Sequence, residues 1–108
     1  MEIQNLLPTL IARQARVLRD LVLLVAEVSS NLLTPQDIRL FRVNSEGKTT
    51  LLQQVKFTNS DDEVSATLVI ERPRVSYFMG LMRDRTLVVL RMLDGSEHLE
   101  IDSVVRLG

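Results

Sequence analysis

The sequence predicts an α+β fold, in which one long N-terminal amphipathic helix packs on a mostly antiparallel five- or six-stranded sheet or small open barrel. Over residues 6–32, apolar residues recur at steps of three and four, the spacing of an amphipathic helix. After residue 35 the spacing changes to the alternation typical of strands, interrupted by turn-forming residues. We therefore expect a single domain over residues 1–108, with the helix in 1–33 and a β-rich part in 36–108.

The predicted helix is apolar on nearly every side around its centre. Its main stripe consists of Leu7, Leu10, Ile11, Val17, Leu18, Leu21, Leu24, Val25 and Val28. Val22 and Leu23 fall outside that stripe, so one sheet face could cover only part of the helix. A second copy, another protein, or a loop or strand edge of the same chain would cover the rest. The residues expected at a protein interface are Leu21, Val22, Leu23, Val25 and Val28.

Two regions after the helix predict β-strands with clear turns. Residues 38–57 predict a hairpin whose turn is Asn44–Lys48. Residues 64–70 alternate and are rich in β-branched side chains, and they predict a further strand. The segment from 75 to 82 contains Gly80 and is interpreted as an irregular, partly apolar connector.

The C-terminal third predicts another hairpin. Residues 86–93 are apolar on both faces, which is typical of a central strand. Asp94-Gly95 suits a tight turn, and a return strand is expected over Glu97–Ile101 with Leu99 and Ile101 inward. A last short strand or turn is expected from residue 104 to 107.

Composition excludes several classes of function. The chain has 108 residues, of which 45% are hydrophobic and 25% charged, as in soluble globular domains. It has no cysteine and one histidine, which excludes disulfides, thiolate metal sites and any site that needs two histidines. The formal net charge of −1 gives no overall basic field for nucleic acid or acidic lipid. The start of the chain lacks a signal sequence and no apolar run could span a bilayer, so we expect a cytoplasmic protein.

No motif predicts catalysis. Gly47-Lys48-Thr49-Thr50 resembles the end of a phosphate-binding loop, but Arg42 stands where that loop requires its first glycine. His98 is the only imidazole, and it is expected on the surface. The acidic run Asp61–Glu63 lacks the spacing of a calcium loop. We therefore expect no enzyme activity, cofactor, metal ion or small-molecule substrate.

One group of arginines forms a possible anion or partner contact. Two Arg-x-Arg pairs bracket an aromatic dipeptide, and the group consists of Arg72, Arg74, Tyr77, Phe78, Arg83 and Arg85. Arginines beside aromatic rings suit stacked nucleic-acid bases. The same arginines also suit a protein interface or a solvated surface.

These observations predict a non-catalytic protein–protein interaction module, an adaptor or small structural subunit of a larger cytoplasmic assembly. It would self-associate or dock through its N-terminal helix, with a second copy or another protein as partner. The alternative is a small nucleic-acid-binding protein that uses the arginine cluster at 72–85. Peripheral contact with a membrane is not expected, because acidic residues dilute the basic face of the helix.

Overall fold

The computed structural model describes residues 10–28, 37–56 and 63–108, and the regular secondary structure in these ranges is entirely β. The strands are β1 (Leu10–Leu18), β2 (Leu21–Val28), β3 (Asp37–Val43), β4 (Thr49–Lys56), β5 (Val64–Ile70), β6 (Val75–Met82), β7 (Thr86–Leu93) and β8 (Glu100–Arg106). They form two four-stranded antiparallel sheets, in the orders β1-β2-β3-β4 and β5-β6-β7-β8. The predicted α+β fold class is therefore wrong, and so is the single sheet or small barrel of five or six strands.

The two sheets pack face to face around one core. At one edge, Arg16 Nε of β1 donates a hydrogen bond of 2.9 Å to Thr67 Oγ1 of β5. At the opposite edge, the Gln53 side chain of β4 exchanges two hydrogen bonds, of 2.8 and 2.7 Å, with the backbone of Leu99 just before β8. The buried core between the sheets contains Leu18, Leu21, Leu23, Val25, Ile38, Leu40, Val64, Phe78, Met82, Val88, Leu90, Met92 and Leu99. The fold is thus a two-sheet sandwich.

No helix occupies residues 10–28, where the sequence analysis placed most of its N-terminal helix. This range contains β1 and β2, joined by a two-residue turn at Arg19–Asp20. Leu18 pairs with Leu21 across that turn, and Arg19 has a left-handed φ of 54°. The remaining parts of the predicted helix, which include Leu7, lie outside the described residues.

Burial on both faces of β2 explains why the helical interpretation failed. Leu21, Leu23 and Val25 lie in the core between the sheets, while Leu24 and Ala26 are buried on the opposite face. A strand buried on both faces has a continuous apolar run, and such a run also satisfies the three- and four-residue spacing of a helix.

The strand predictions after residue 36 fare better. The structure confirms a hairpin of β3 and β4 with its turn at 44–48, as well as the strands β5 and β7. The interpretation of 75–82 as a connector is wrong, because this segment is β6 and pairs on both sides. Gly80 is buried opposite Val88 there, so pairing and packing outweigh the low strand propensity of an internal glycine.

The structure confirms the last hairpin, but its return strand begins later in the chain than predicted. Ser96 donates a backbone hydrogen bond of 3.0 Å to the Leu93 carbonyl across the Asp94-Gly95 turn, and Gly95 has a φ of 80°. β8 begins only at Glu100 and extends to Arg106, so it includes most of the predicted last short strand. Leu99 is buried as expected, whereas Ile101 is exposed.

An ion pair is buried on the outer face of the first sheet. Arg39 Nε lies 3.1 Å from Asp37 Oδ1, and the two side chains are only 5% and 12% exposed. The Gln54 side-chain amide donates a 2.5 Å hydrogen bond to the other carboxylate oxygen. Two charges withdrawn from water in this way depend on each other, because each alone would carry a large desolvation cost.

Arg39→Met removes the cation and leaves the Asp37 carboxylate buried, so we expect the free energy of unfolding to fall by about 3 kcal/mol or more. The double variant Asp37→Leu/Arg39→Met removes both charges and should recover most of that loss. Urea denaturation of the single and double variants measures both values. A double variant no more stable than Arg39→Met would contradict this account of the pair.

Ser76 gives a second test of the core. Its hydroxyl is fully buried on β6 and has no hydrogen-bond partner among the described residues. Because a buried unpaired hydroxyl is unfavourable, Ser76→Ala should raise the free energy of unfolding by about 1 kcal/mol. Ser65→Ala is the control, since the exposed Ser65 hydroxyl donates to the Leu81 carbonyl at 3.1 Å and its loss should not stabilise the protein. Destabilisation by Ser76→Ala in the same urea experiment would rule out an unpaired hydroxyl.

Candidate interaction surface

The residues that the sequence placed at a protein interface lie mostly inside this protein. Leu21, Leu23 and Val25 are buried in the core between the two sheets. Val22 is half-buried on the opposite face of β2. The side chain of Val28 lies outside the described part of the structure. Three of the five residues therefore stabilise the sandwich.

The structure does not bring the two arginine pairs together. One pair lies in the turn before β6 and the other in the turn after it: Arg72 with Arg74, and Arg83 with Arg85. The eight residues of β6 place the pairs about 25 Å apart, at a rise of about 3.3 Å per residue. Phe78 is buried in the core, and Tyr77 is half-buried on the other face of the same strand. These six residues therefore form no single patch.

The outer face of the second sheet is apolar and open to solvent. Strand alternation places on it Ala66, Leu68 and Ile70 of β5, Tyr77, Met79 and Leu81 of β6, Leu87 and Val89 of β7, and Val105 of β8. Leu68 is 55% exposed and Val105 is 44% exposed. By contrast, Leu24, Ala26 and Phe41 on the outer face of the first sheet are buried. We call the outer face of the second sheet the open face.

Two shallow hollows run across the open face. The first has a volume of about 210 Å³ and lies among Leu68, Met79 and Leu87. The second, of about 320 Å³, lies between Arg85 and Leu107. Both are bounded by Leu81, so they are neighbours on the open face.

One end of the open face is acidic. Arg91 of β7 is opposite Glu100 in the register of β7 and β8. Its Nε lies 3.2 Å from Glu100 Oε2, and its Nη1 lies 3.6 Å from Asp102 Oδ1. Two carboxylates thus surround one guanidinium, which leaves one negative charge in excess at the corner where β7 ends and β8 begins. We call this corner the acidic end; the exposed Arg72 and Arg74 lie at the same end of the sheet, in the turn before β6.

The other end of the open face is basic. Arg85 lies beside Leu107 at this end, and its guanidinium has no ion-pair partner among the described residues. The neighbouring arginines are paired: Arg83 Nη1 lies 3.4 Å from Glu63 Oε2, and Arg106 Nη1 lies 3.9 Å from Asp84 Oδ2. Arg85 therefore provides the positive charge in excess at this end.

The turn that carries Arg85 is held by Asp84. The backbone N–H of Thr86 donates a 2.9 Å hydrogen bond to Asp84 Oδ1. This bond and a second one from the Thr86 side chain lower the pKa of the Asp84 carboxyl below its ordinary value of 3.8, and the charge of Arg106 acts in the same direction. The ionised carboxylate thus stabilises the β6–β7 turn.

A lowered pKa in the folded state means that Asp84 contributes stability above its ordinary pKa of 3.8, and that this contribution disappears as the pH falls through the lower, folded-state value. We therefore expect Asp84→Asn to have a lower thermal midpoint than the wild type at neutral pH. The difference should shrink as the pH falls well below 3.8. Thermal unfolding followed by circular dichroism across this range measures it, and a difference independent of pH would contradict the role given to the charge.

Sequence reasoning missed the open face for an identifiable reason. Tyr77, Met79 and Leu81 alternate with the buried Ser76 and Phe78, which is the signal of a half-buried strand. Because residues 75–82 were interpreted as a connector, the strand at the centre of this surface was not predicted.

The chemistry of the described residues adds no further site. None of the groups of histidine, aspartate or glutamate in the described ranges is large enough to hold a metal ion. His98 is exposed in the turn before β8, while Asp61 and Asp62 lie outside the described residues. Across the same described ranges, no helix is long and apolar enough to cross a membrane.

The fold defines a class of protein by architecture alone, an antiparallel β-sandwich of two four-stranded sheets with one open apolar face. No protein-family model, curated protein or solved structure matches this chain.

Proposed function

We propose that this chain is a non-catalytic protein–protein interaction module, an adaptor or small structural subunit of a larger cytoplasmic assembly, and that it binds through the open face. The observation that carries the proposal is the set of apolar side chains that β5 to β8 place together on this face, where Leu68 is 55% and Val105 is 44% exposed. Contiguous exposed apolar surface of this kind marks interaction sites.

The size of the open face supports this proposal. Four strands about 4.8 Å apart, each with seven or eight residues at about 3.3 Å, cover roughly 500 Å² in projection. The largest apolar patch on a typical monomer covers about 300–600 Å², and such patches are often functional. With its charged residues included, the open face is therefore comparable in area to the largest apolar patch of a typical monomer, which is often functional.

The shape of the face favours a protein over a small molecule. Ligand pockets are concave and combine an apolar lining with several polar groups that converge on the ligand. The two hollows are shallow, and among the described residues that line them only Arg85 is charged. Such hollows fit apolar side chains that project from another protein surface.

The alternative function, nucleic-acid binding through residues 72–85, gains no support from a specific observation. The two arginine pairs lie at opposite ends of β6, and the Phe78 ring is buried where it could not stack on a base. The interaction module is therefore the better supported proposal.

The apparent mass of the chain in an extract of the cells that produce it tests the proposal. We expect the wild type to elute from a sizing column well above the 12.3 kDa of one chain. The double variant Leu68→Lys/Val105→Lys places two charges on the open face and should elute at a lower mass, because burying these charges in an interface is unfavourable.

A matched control separates loss of the interface from a general effect of added charge. Val17→Lys/Leu51→Lys adds the same charges to the first sheet, at side chains that are 64% and 44% exposed, and should leave the apparent mass unchanged. Circular dichroism confirms that both double variants are folded. A wild-type chain that elutes at the mass of one chain in the extract would refute the proposal.

A further inference from the structure

We infer that the partner bound by the open face is a second copy of this chain, in a two-fold symmetric dimer that places Arg85 of each copy over Glu100 and Asp102 of the other. The inference rests on the proposed function, because it names the partner of the same face. It is carried by the position of the two charged ends on that face.

The acidic and basic ends both lie on the half of the open face that β7 and β8 form, at opposite ends of these two strands. Thr86 follows Arg85 directly and pairs with Arg106 at the end of β8, whereas Arg91 pairs with Glu100 at its start. The five residue steps from 86 to 91 separate the two ends by about 17 Å, at a rise of about 3.3 Å per residue. The half-buried Leu87 and the nearly buried Val89 lie between them.

A two-fold axis brings these ends onto each other only in one orientation. Consider an axis that lies in the plane of the interface and runs perpendicular to the strands. Rotation about this axis places the open face of the second copy on that of the first, with the strands of the second copy running in the opposite direction. β7 and β8 of one copy then lie over β7 and β8 of the other, so the basic end of each copy meets the acidic end of its partner. The centre of this interface is near Val89, and the same surface serves both copies, as a two-fold dimer requires.

The other in-plane orientation is unfavourable. A two-fold axis parallel to the strands would bring the two basic ends to the same end of the dimer and the two acidic ends to the other. The excess charge of Arg85 would then have no complement, and like charges would be gathered instead. Charge therefore selects the perpendicular axis.

The area of the face sets the expected strength of the dimer. The roughly 500 Å² in projection is below the surface of about 800 Å² per partner that standard stable interfaces bury. We therefore expect a dimer that dissociates on dilution and weakens with added salt, since its charged ends remain near solvent.

Sedimentation equilibrium of the purified chain, over a hundredfold range of concentration at low salt, tests the inference. We expect the mass to rise from that of one chain, 12.3 kDa, to twice that value. Arg85→Glu replaces two attractive contacts with repulsive ones and should weaken the dimer about tenfold. Adding Glu100→Arg to that variant exchanges the two charges and should restore most of the affinity. Lys48→Glu reverses a charge in the exposed turn of the first sheet and should have no effect.

Several outcomes would overturn the inference. They are a monomer at every concentration, a dimer unaffected by Arg85→Glu, and a charge exchange that fails to restore affinity. The proposed function can fail separately. A purified monomer that still joins a larger assembly in the extract, and leaves it on Leu68→Lys/Val105→Lys substitution, refutes self-pairing alone. A purified dimer that elutes only as a dimer in the extract supports self-pairing and refutes the larger assembly.

Discussion

The packing of one sheet on the other is the interaction on which the rest of this structure depends. A four-stranded antiparallel sheet must bury at least one apolar face, and here each of the two sheets buries one face against the other sheet. Polar contacts join the sheets at both edges, between Arg16 and Thr67 and between Gln53 and Leu99. Arg16 stands opposite the core residue Leu23 in the register of β1 and β2, so a charged side chain covers the edge of the core. Such edge residues discourage further strand pairing on that side.

The outer faces of the two sheets differ in how deeply their central strands are buried. In the first sheet, β2 and β3 are buried on both faces, and even the Asp37–Arg39 pair is withdrawn from solvent. In the second sheet, alternation puts apolar side chains on a face that stays open. Stability of the isolated chain does not require leucine or valine at exposed positions such as Leu68 and Val105, because polar β-formers fit a solvated strand face as well.

The sequence predicts those elements whose signal is local. The hairpin of β3 and β4 shows alternation and a turn rich in turn-forming residues, and β7 with Asp94-Gly95 shows the same combination. β2 could not be predicted in this way, because burial on both of its faces removes alternation, and the turn between β1 and β2 places Arg19 where a hairpin usually has glycine. Only part of the candidate surface could be predicted from the sequence. Arg85 was selected for its neighbours in the chain, whereas the apolar residues beside it come from four different strands.

The conformations of two arginines show how Arg85 differs from a purely structural residue. Arg19 and Arg85 are the non-glycine residues with positive φ in the described chain, at 54° and 72°, and such a conformation costs about 1 kcal/mol relative to glycine. Arg19 has side-chain partners within the chain, because its guanidinium donates to the Arg72 carbonyl at 2.9 Å and lies 3.6 Å from Asp94, whereas its buried Nε has no partner among the described residues. Arg85 has no such side-chain partner among the described residues. A glycine would fit that turn with less strain, and in the proposed dimer the acidic end of a second open face would give Arg85 the kind of side-chain partner that Arg19 has within the chain.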